Sequence, residues 1–351
     1  MSPYFIQVFA NAGLTAAVVY IPLLAKSLGA THSEIGLLVA AYQGAMFAAS
    51  LLFGRWADYG DRKKFVVVGI ALSGLILSLH CWICNLPTLF LLRFLLGIAA
   101  GIFPAALVAY FYSQNNHLGR FTGFGSLGWA FGSLLVSLLA NPKIFWLAGL
   151  LMLFTSAFAR FTLKPQMVSL KQPFFDLTIF RRNWRVYTSF LLRHLGAFSI
   201  WTIFPLYLVH LGASSFWIGL VYALNPLGQF FFMNLLERTD DSKLIRIGLL
   251  LSVLVFVAFG IARRFEQVIP IQIALALSWS CLYLGTLKQL LRKNEEKSSV
   301  TGILQSVLSL AAVLGALLEG FTGKFGYQTI MFTAAGIAVI GALIYLVAPE
   351  N

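Results

Sequence analysis

Residues 22–58, PLLAKSLGATHSEIGLLVAAYQGAMFAASLLFGRWAD, align without a gap on residues 205–241, PLYLVHLGASSFWIGLVYALNPLGQFFFMNLLERTDD, under a shift of 183. Thirteen of the 37 positions are identical, among them Pro22/Pro205, Leu28-Gly29-Ala30/Leu211-Gly212-Ala213, Ile35-Gly36-Leu37/Ile218-Gly219-Leu220, Arg55/Arg238 and Asp58/Asp241. A shared apolar composition supplies stray leucines and alanines. It does not bring prolines, paired glycines and a loop aspartate into one register. The chain therefore reads as an internal duplication, the arrangement from which many membrane transporters are built.

The rest of the sequence agrees. Of 351 residues, 59% are hydrophobic and only 11% charged, where a soluble domain carries about a quarter charged, and the mean hydropathy is +0.85. Apolar runs long enough to cross a hydrocarbon core of ~30 Å predict twelve spans, near 4–25, 34–57, 64–83, 88–112, 120–140, 144–162, 184–208, 216–236, 243–262, 267–290, 299–321 and 326–348. They are expected to be helices, because backbone facing lipid must satisfy its own hydrogen bonds and a β-barrel would show short alternating segments. The fold class is thus an all-α integral membrane protein of two pseudo-symmetric six-helix bundles.

The longest polar interval divides the spans six and six. It gives an N-terminal bundle at 1–163, a cytoplasmic linker at 164–183 and a C-terminal bundle at 184–351. The stretch KQPFFDLTIFRRNWR, residues 171–185, mixes Phe and Trp with Arg and suits a membrane interface. With the amino terminus inside, 18 of the 25 Lys and Arg fall on cytoplasmic loops and helix ends and 5 on the outer side, leaving Arg93 and Arg193 within spans. This charge split predicts a multi-pass protein of the cell membrane with both termini cytoplasmic.

The net charge of +13 is accounted for by those loops, so no nucleic-acid partner is expected. The first run lacks a basic leader and a cleavage site, and it reads as the first span. Cys81 and Cys84 form a CxxC inside an apolar run and read as ordinary buried thiols. No Walker loop, dinucleotide fingerprint, zinc cluster or catalytic triad is present, which argues against an enzyme and for no cofactor or metal.

Three motifs carry a family resemblance. The loop after span two reads GRWADYGDRKK, residues 54–64, with Gly54, Asp58, Arg62 and Lys63 at the expected places and Asp61 where a glycine would stand. Span four reads RFLLGIAAGIFPA, with Arg93, Gly97, Gly101 and Pro104. Span seven opens FLLRHLGAFSIWTIFPLYL. The chain resembles the major facilitator superfamily over nearly its whole length. In span five, GSLGWAFGS places Ser133 where the Gly-Pro of the drug-antiporter subgroup would be, which weakens that subgroup's case.

The resemblance implies a secondary transporter working by alternating access, in which a small solute binds between the halves. It also implies a gate in which Asp58 meets the start of span eleven, at Ser298 to Gly302. The competing reading of Asp58 and Arg62 is a solvated loop pair four residues apart. Glycines of spans two, four and five (Gly44, Gly97, Gly101, Gly125, Gly128, Gly132) are expected at close helix contacts.

Ionised groups at membrane depth usually face a cavity, a partner or the interface. Arg93, about six residues into span four, reads equally as a cavity residue or as one snorkelling outward. Arg193, about nine residues into span seven, favours the cavity or a cross-helix contact. His194 pairs with Asn11 under the shift of 183 and is the candidate proton carrier, since none of the Asp and Glu lies deep in spans one, four, five, seven, eight or ten. A hydrogen-bonded core histidine is the alternative reading.

Further solute-site candidates are Tyr222, Asn225, Gln229, Trp201, Gln43 and Tyr283, with Gln7, Tyr42, Trp129, Trp279 and Gln305 as lesser ones; interfacial anchoring competes for each aromatic. Asn225 precedes Pro226, which frees a backbone carbonyl. Buried arginines without a matching acid suggest an anionic or strongly polar organic solute, symported or antiported, with proton coupling open. The alternatives are efflux of drugs or hydrophobic compounds, and a receptor or scaffold that binds without flux. The expected partners are the small-molecule solute, the lipid bilayer and a proton, and a monomer is expected.

Overall fold

A computed structural model describes residues 2–114, 117–138, 143–170 and 177–347. Among these residues the chain forms twelve α-helices: α1 (Ser2–Ser27), α2 (His32–Trp56), α3 (Arg62–Leu79), α4 (Leu86–Tyr112), α5 (Leu118–Leu138), α6 (Lys143–Thr162), α7 (Thr178–His210), α8 (Ser215–Leu235), α9 (Asp241–Ile261), α10 (Phe265–Lys293), α11 (Lys297–Thr322) and α12 (Tyr327–Val347). Eleven of the twelve are long and apolar enough to cross a membrane. Local chemistry sets several starts. Thr31 and Glu34 form a capping box at α2, Asp61 caps α3 through Lys63 N, and Asn85 caps α4 with Pro87 just inside it.

The duplication is visible in the backbone. α1 and α7 end at repeat-related Ser27 and His210, and α2 and α8 begin at repeat-related His32 and Ser215. The turns between them pass through Gly29 at φ 83° and Gly212 at φ 89°. Both are left-handed conformations that favour glycine.

The chain divides into two compact units. The first comprises Met1–Asp176 with Lys293–Ser309, and the second Leu177–Arg292 with Leu310–Asn351. In the first unit α2 packs on α4 and α1 on α5 through glycines. A Cβ on Gly101 would stand 2.7 Å from Ala49 Cβ, and one on Gly128 would strike Val8 O. Gly97, Gly125 and Gly132 lie at similar contacts, whereas Gly44 has nothing within 4 Å and is not a packing position. The second unit is built on an aromatic core that includes Phe204, Tyr207, Phe256 and Phe259.

Two local expectations change. Of the amphipathic stretch 171–185, residues 171–176 lie outside the described residues, and from Thr178 onward it is the first two turns of α7. Cys81 and Cys84 sit in a short turn after α3, where Cys84 is exposed and Cys81 only partly buried, because the apolar run ends with α3.

Candidate functional site

In the first unit the site grows from the end of α2. Asp58 follows α2 and is fully buried. Its Oδ1 accepts from Arg62 Nη2 (2.8 Å) and Ser298 N (3.0 Å), and its Oδ2 from Ser299 N (2.8 Å) and Ser299 Oγ (2.7 Å). Ser298 and Ser299 occupy the first turn of α11, whose backbone N–H groups have no partner within the helix and which carries the positive end of the dipole. The carboxylate therefore caps α11 through a residue 240 positions further along the chain. The solvated-pair reading does not survive the burial of both Asp58 and Arg62.

Arg62, 3% exposed, spends its other donors on Ser298 Oγ (3.0 Å), Ser113 Oγ (2.9 Å) and Gln166 Oε1 (3.2 Å). Arg55 donates to Ser299 Oγ at 3.2 Å and to Tyr59 OH at 2.8 Å. Gly54 and Gly302 let the two backbones meet, since a Cβ on Gly54 would lie 2.8 Å from Gly302 Cα. Ser306 Oγ then bonds Phe47 O at 2.8 Å one turn further. Lys63 contributes its backbone N–H to Asp61 Oδ1 (3.1 Å).

Asp61, the departure from the family pattern, holds the chain that follows α6. Its Oδ1 also accepts Gln166 N at 2.9 Å. Arg62 N donates to Gln166 O (3.1 Å) and Val168 N to Gly60 O (3.0 Å), forming a short antiparallel bridge. Gln166 and Ser113 were not singled out from the sequence, since a lone Gln in a linker and a Ser at a helix end carry no signal until Arg62 reaches them.

The other candidates of this unit lie in two places. Arg93 is 2% exposed, with its guanidinium 4.0 Å over the Tyr42 ring and its Nε and Nη1 unpartnered. It does not snorkel. Gln43 stands half-buried beside Tyr42. Asn11 Nδ2 donates to Gln7 O (2.8 Å) and its Oδ1 accepts Trp129 Nε1 (3.1 Å).

The second unit gathers the remaining candidates into two clusters. Arg193 Nε donates to Ser252 Oγ of α9 (2.7 Å), and its guanidinium lies 5.4 Å from the Phe256 ring and 5.5 Å from Trp279. Its Nη2 is unpartnered. His194 packs among Phe190, Phe198 and Trp279, with Trp279 stacked on Tyr283 at 5.1 Å, and its Nδ1 has no hydrogen bond. Arg193 and His194 thus share Trp279 as a neighbour.

The second cluster joins Trp201, Phe204 and Tyr222 through ring contacts of 5.0 to 5.6 Å. Beside it, Gln229 Nε2 donates to Asn225 Oδ1 and Asn225 Nδ2 to Gln272 Oε1 (3.1 Å). Gln272 was missed in the sequence. Its signal was available as an uncharged polar residue in the apolar tenth span. Among the described residues no group of His, Cys, Asp and Glu suits a metal ion.

The sequence profile of the Major Facilitator Superfamily matches residues 4–287. The chain belongs to that superfamily. This major facilitator is 22% identical to the Quinolone resistance protein NorA of Staphylococcus aureus (strain MRSA252), across 98% of this chain and 94% of NorA. It is 36% identical over 91 residues to the Multidrug resistance protein MdtL of Escherichia coli (strain K12 / DH10B), a match spanning 26% of this chain and 23% of MdtL. Its fold is similar to the crystal structure of the human organic anion transporter MFSD10 (TETRAN), at a TM-score of 0.78 over 98% of both chains and 17% identity. It is a multi-pass membrane transporter.

Proposed function

We propose that this major facilitator is a secondary active transporter that moves a small organic solute with an anionic or strongly polar group by alternating access. The observation that carries this reading is the charge-assisted contact of Asp58 with Ser298 N and Ser299 N. It is a compact, breakable latch on a helix N-terminus, with glycines at the point of closest approach. In this reading six-helix halves at 1–163 and 184–351 move about the linker 164–183. Both termini face the cytoplasm of a cell-membrane monomer, and no enzymatic step is involved.

The anionic preference rests on Arg93 and Arg193. Each is 2% exposed, and among the described residues neither has a carboxylate partner. An unpaired buried cation is costly unless a counter-charge arrives, and a solute carboxylate supplies one. Asn11, Gln43, Trp201, Tyr222, Asn225, Gln229 and Tyr283 complete the solute-binding set. His194, without an acceptor on Nδ1, is the proton-coupling group.

A second reading, efflux of drug-like compounds, is favoured by the chain's similarity to the resistance proteins NorA and MdtL. Flux into proteoliposomes separates the two. Uptake of aromatic carboxylates, lost in Arg193→Met without a fall in melting temperature and driven by a pH gradient in wild type but not in His194→Gln, is the expected result. Transport of cationic dyes with no carboxylate flux would replace it with the efflux reading.

A further inference from the structure

The chain that follows α6 does not leave the first unit at once. Leu163 is buried and Lys164 N donates to Tyr110 OH at 3.0 Å. From there residues 166–170 run back along the loop that carries Asp58. Gln166 O accepts Arg62 N (3.1 Å), Val168 N donates to Gly60 O (3.0 Å) and Leu170 N to the backbone carbonyl of Asp58 itself (3.4 Å). Asp61 pins the near end of this segment. Its Oδ1 takes Gln166 N at 2.9 Å while it also caps α3 through Lys63 N at 3.1 Å.

Arg62 is the joint between this segment and the contact at the start of α11. Gln166 grips it twice, through the Arg62 backbone N–H and through Nη1 on Gln166 Oε1 (3.2 Å). The same guanidinium places Nε on Ser298 Oγ (3.0 Å) and Nη2 on Asp58 Oδ1 (2.8 Å). Hydrogen bonds therefore run without a break from Asp61 through Gln166 and Arg62 to Ser298. Asp61 is 7% exposed, Arg62 3% and Asp58 0%, so water replaces none of these bonds until a neighbour moves away.

The duplication supplies the comparison. Under the shift of 183, Asp58 recurs as Asp241, but Asp61 falls on Leu244 and Arg62 on Ile245. The second copy takes its arginine from α10, as Arg292 at 2.9 Å, and that side chain is 59% exposed against 4% for Arg62. Pairing the aspartate with an arginine thus does not demand a buried arginine. Of the two copies, the one whose loop meets the segment after α6 is the one with an aspartate to dock it.

We propose that Asp61 is a positioning residue for the Asp58 latch: it docks residues 166–170 as a strap that sets Arg62 against Asp58 and Ser298, and strap and latch come apart together. Asp61 touches no solute and acts through Gln166. With the strap docked, residues 166–170 belong to the first unit and do not serve as a hinge. That their release is a step of the transport cycle rests on the transporter reading.

Amide exchange on the full-length protein in lipid nanodiscs and benzoate flux into proteoliposomes test it. Asp61→Ala removes the acceptor of Gln166 N. It is expected to speed exchange at Val168 and, about tenfold or more, at Ser298 and Ser299, although Asp61 bonds neither serine. Asp61→Asn keeps an acceptor oxygen and stays near wild type. Unchanged exchange at the two serines in Asp61→Ala overturns the inference, whatever the flux. Because Asp61 also caps α3, a second variant keeps it and decides the matter if Asp61→Ala does not fold. Gly60→Cys with Val168→Cys, in a background of Cys81→Ser, Cys84→Ser and Cys281→Ser, is joined by a short bis-methanethiosulfonate. A Cβ at Gly60 meets nothing closer than Phe65 Cε2 at 3.5 Å. The joined protein is expected to exchange more slowly at Ser298 and Ser299 and to carry benzoate about tenfold or more slowly, with reductant restoring both. Undiminished flux in the joined protein overturns the shared release, since a strap that never moves would not feel the link. Absence of benzoate flux in wild type, with exchange behaving as expected, overturns only the transporter reading.

Discussion

Asp58 holds four hydrogen bonds, of which two come from the free N–H groups of α11 and one from a buried guanidinium. Substituting Asn removes the charge from all of them while leaving an oxygen to accept. Arg62 retains the Ser298, Ser113 and Gln166 acceptors, so it is not stranded. Hydrogen bonds to charged groups contribute roughly 1.5–3 kcal/mol each. Asp58→Asn is thus expected to keep the fold and loosen the latch, slowing transport about tenfold or more and speeding amide exchange at Ser298 and Ser299. Normal kinetics with unchanged exchange would show that the contact does not gate. The carboxylate and its arginine were legible in the sequence by spacing. Gln166 and Ser113 were not, because their role exists only where Arg62 is folded against them.

At the scale of helices, glycine is used where two backbones meet and not wherever it recurs. Gly101 and Gly128 have a neighbour at the place of the missing Cβ, and Gly44 has open space. Spacing alone cannot separate these cases, because it marks the helix face and not what covers it. Gly302 presses on Ser50 O and on Gly54 Cα, the latter 2.9 Å from its missing Cβ. A leucine there has backbone on its near side and no flexible side chain to displace. Gly302→Leu is expected to hold α11 off α2, losing the Asp58 contact and trapping the transporter, with a cost of roughly 1–3 kcal/mol from overpacking. Crosslinking between cysteines placed at Ser50 and Ser306 would report the separation, and efficient crosslinking in the variant would refute it. Gly101→Leu, set against Ala49 Cβ and Met46 O, should lower the melting temperature instead.

For the whole molecule, the repeat was readable because Pro22, Gly29, Gly36 and Asp58 each need a particular residue type, and their partners at 205, 212, 219 and 241 kept it. What was not readable is where the copies diverged. Asp241 pairs with Arg292 of α10 at 2.9 Å, while Asp58 has Arg62 at the start of α3, four residues on, and Ser298 and Ser299 beyond. The charge split, with both termini inside, is open to a direct check. Cys84 is exposed, Cys81 in the same turn is partly buried and Cys281 is buried, so a membrane-impermeant maleimide applied to intact cells should label the wild type and not the double variant Cys81→Ser with Cys84→Ser. No labelling of Cys84 in intact cells, with labelling after lysis, would invert the topology.

The first unit draws Lys293–Ser309 into itself, and this bears on the order in which the protein is made. When the ribosome has finished α6, Asp58 and Arg62 are already present but the serines that complete them are not. More than a hundred further residues must emerge before α11 arrives. The amino-terminal bundle is thus begun first and closed late, and expressed alone it would keep an open polar wound until the carboxy-terminal half was supplied in trans.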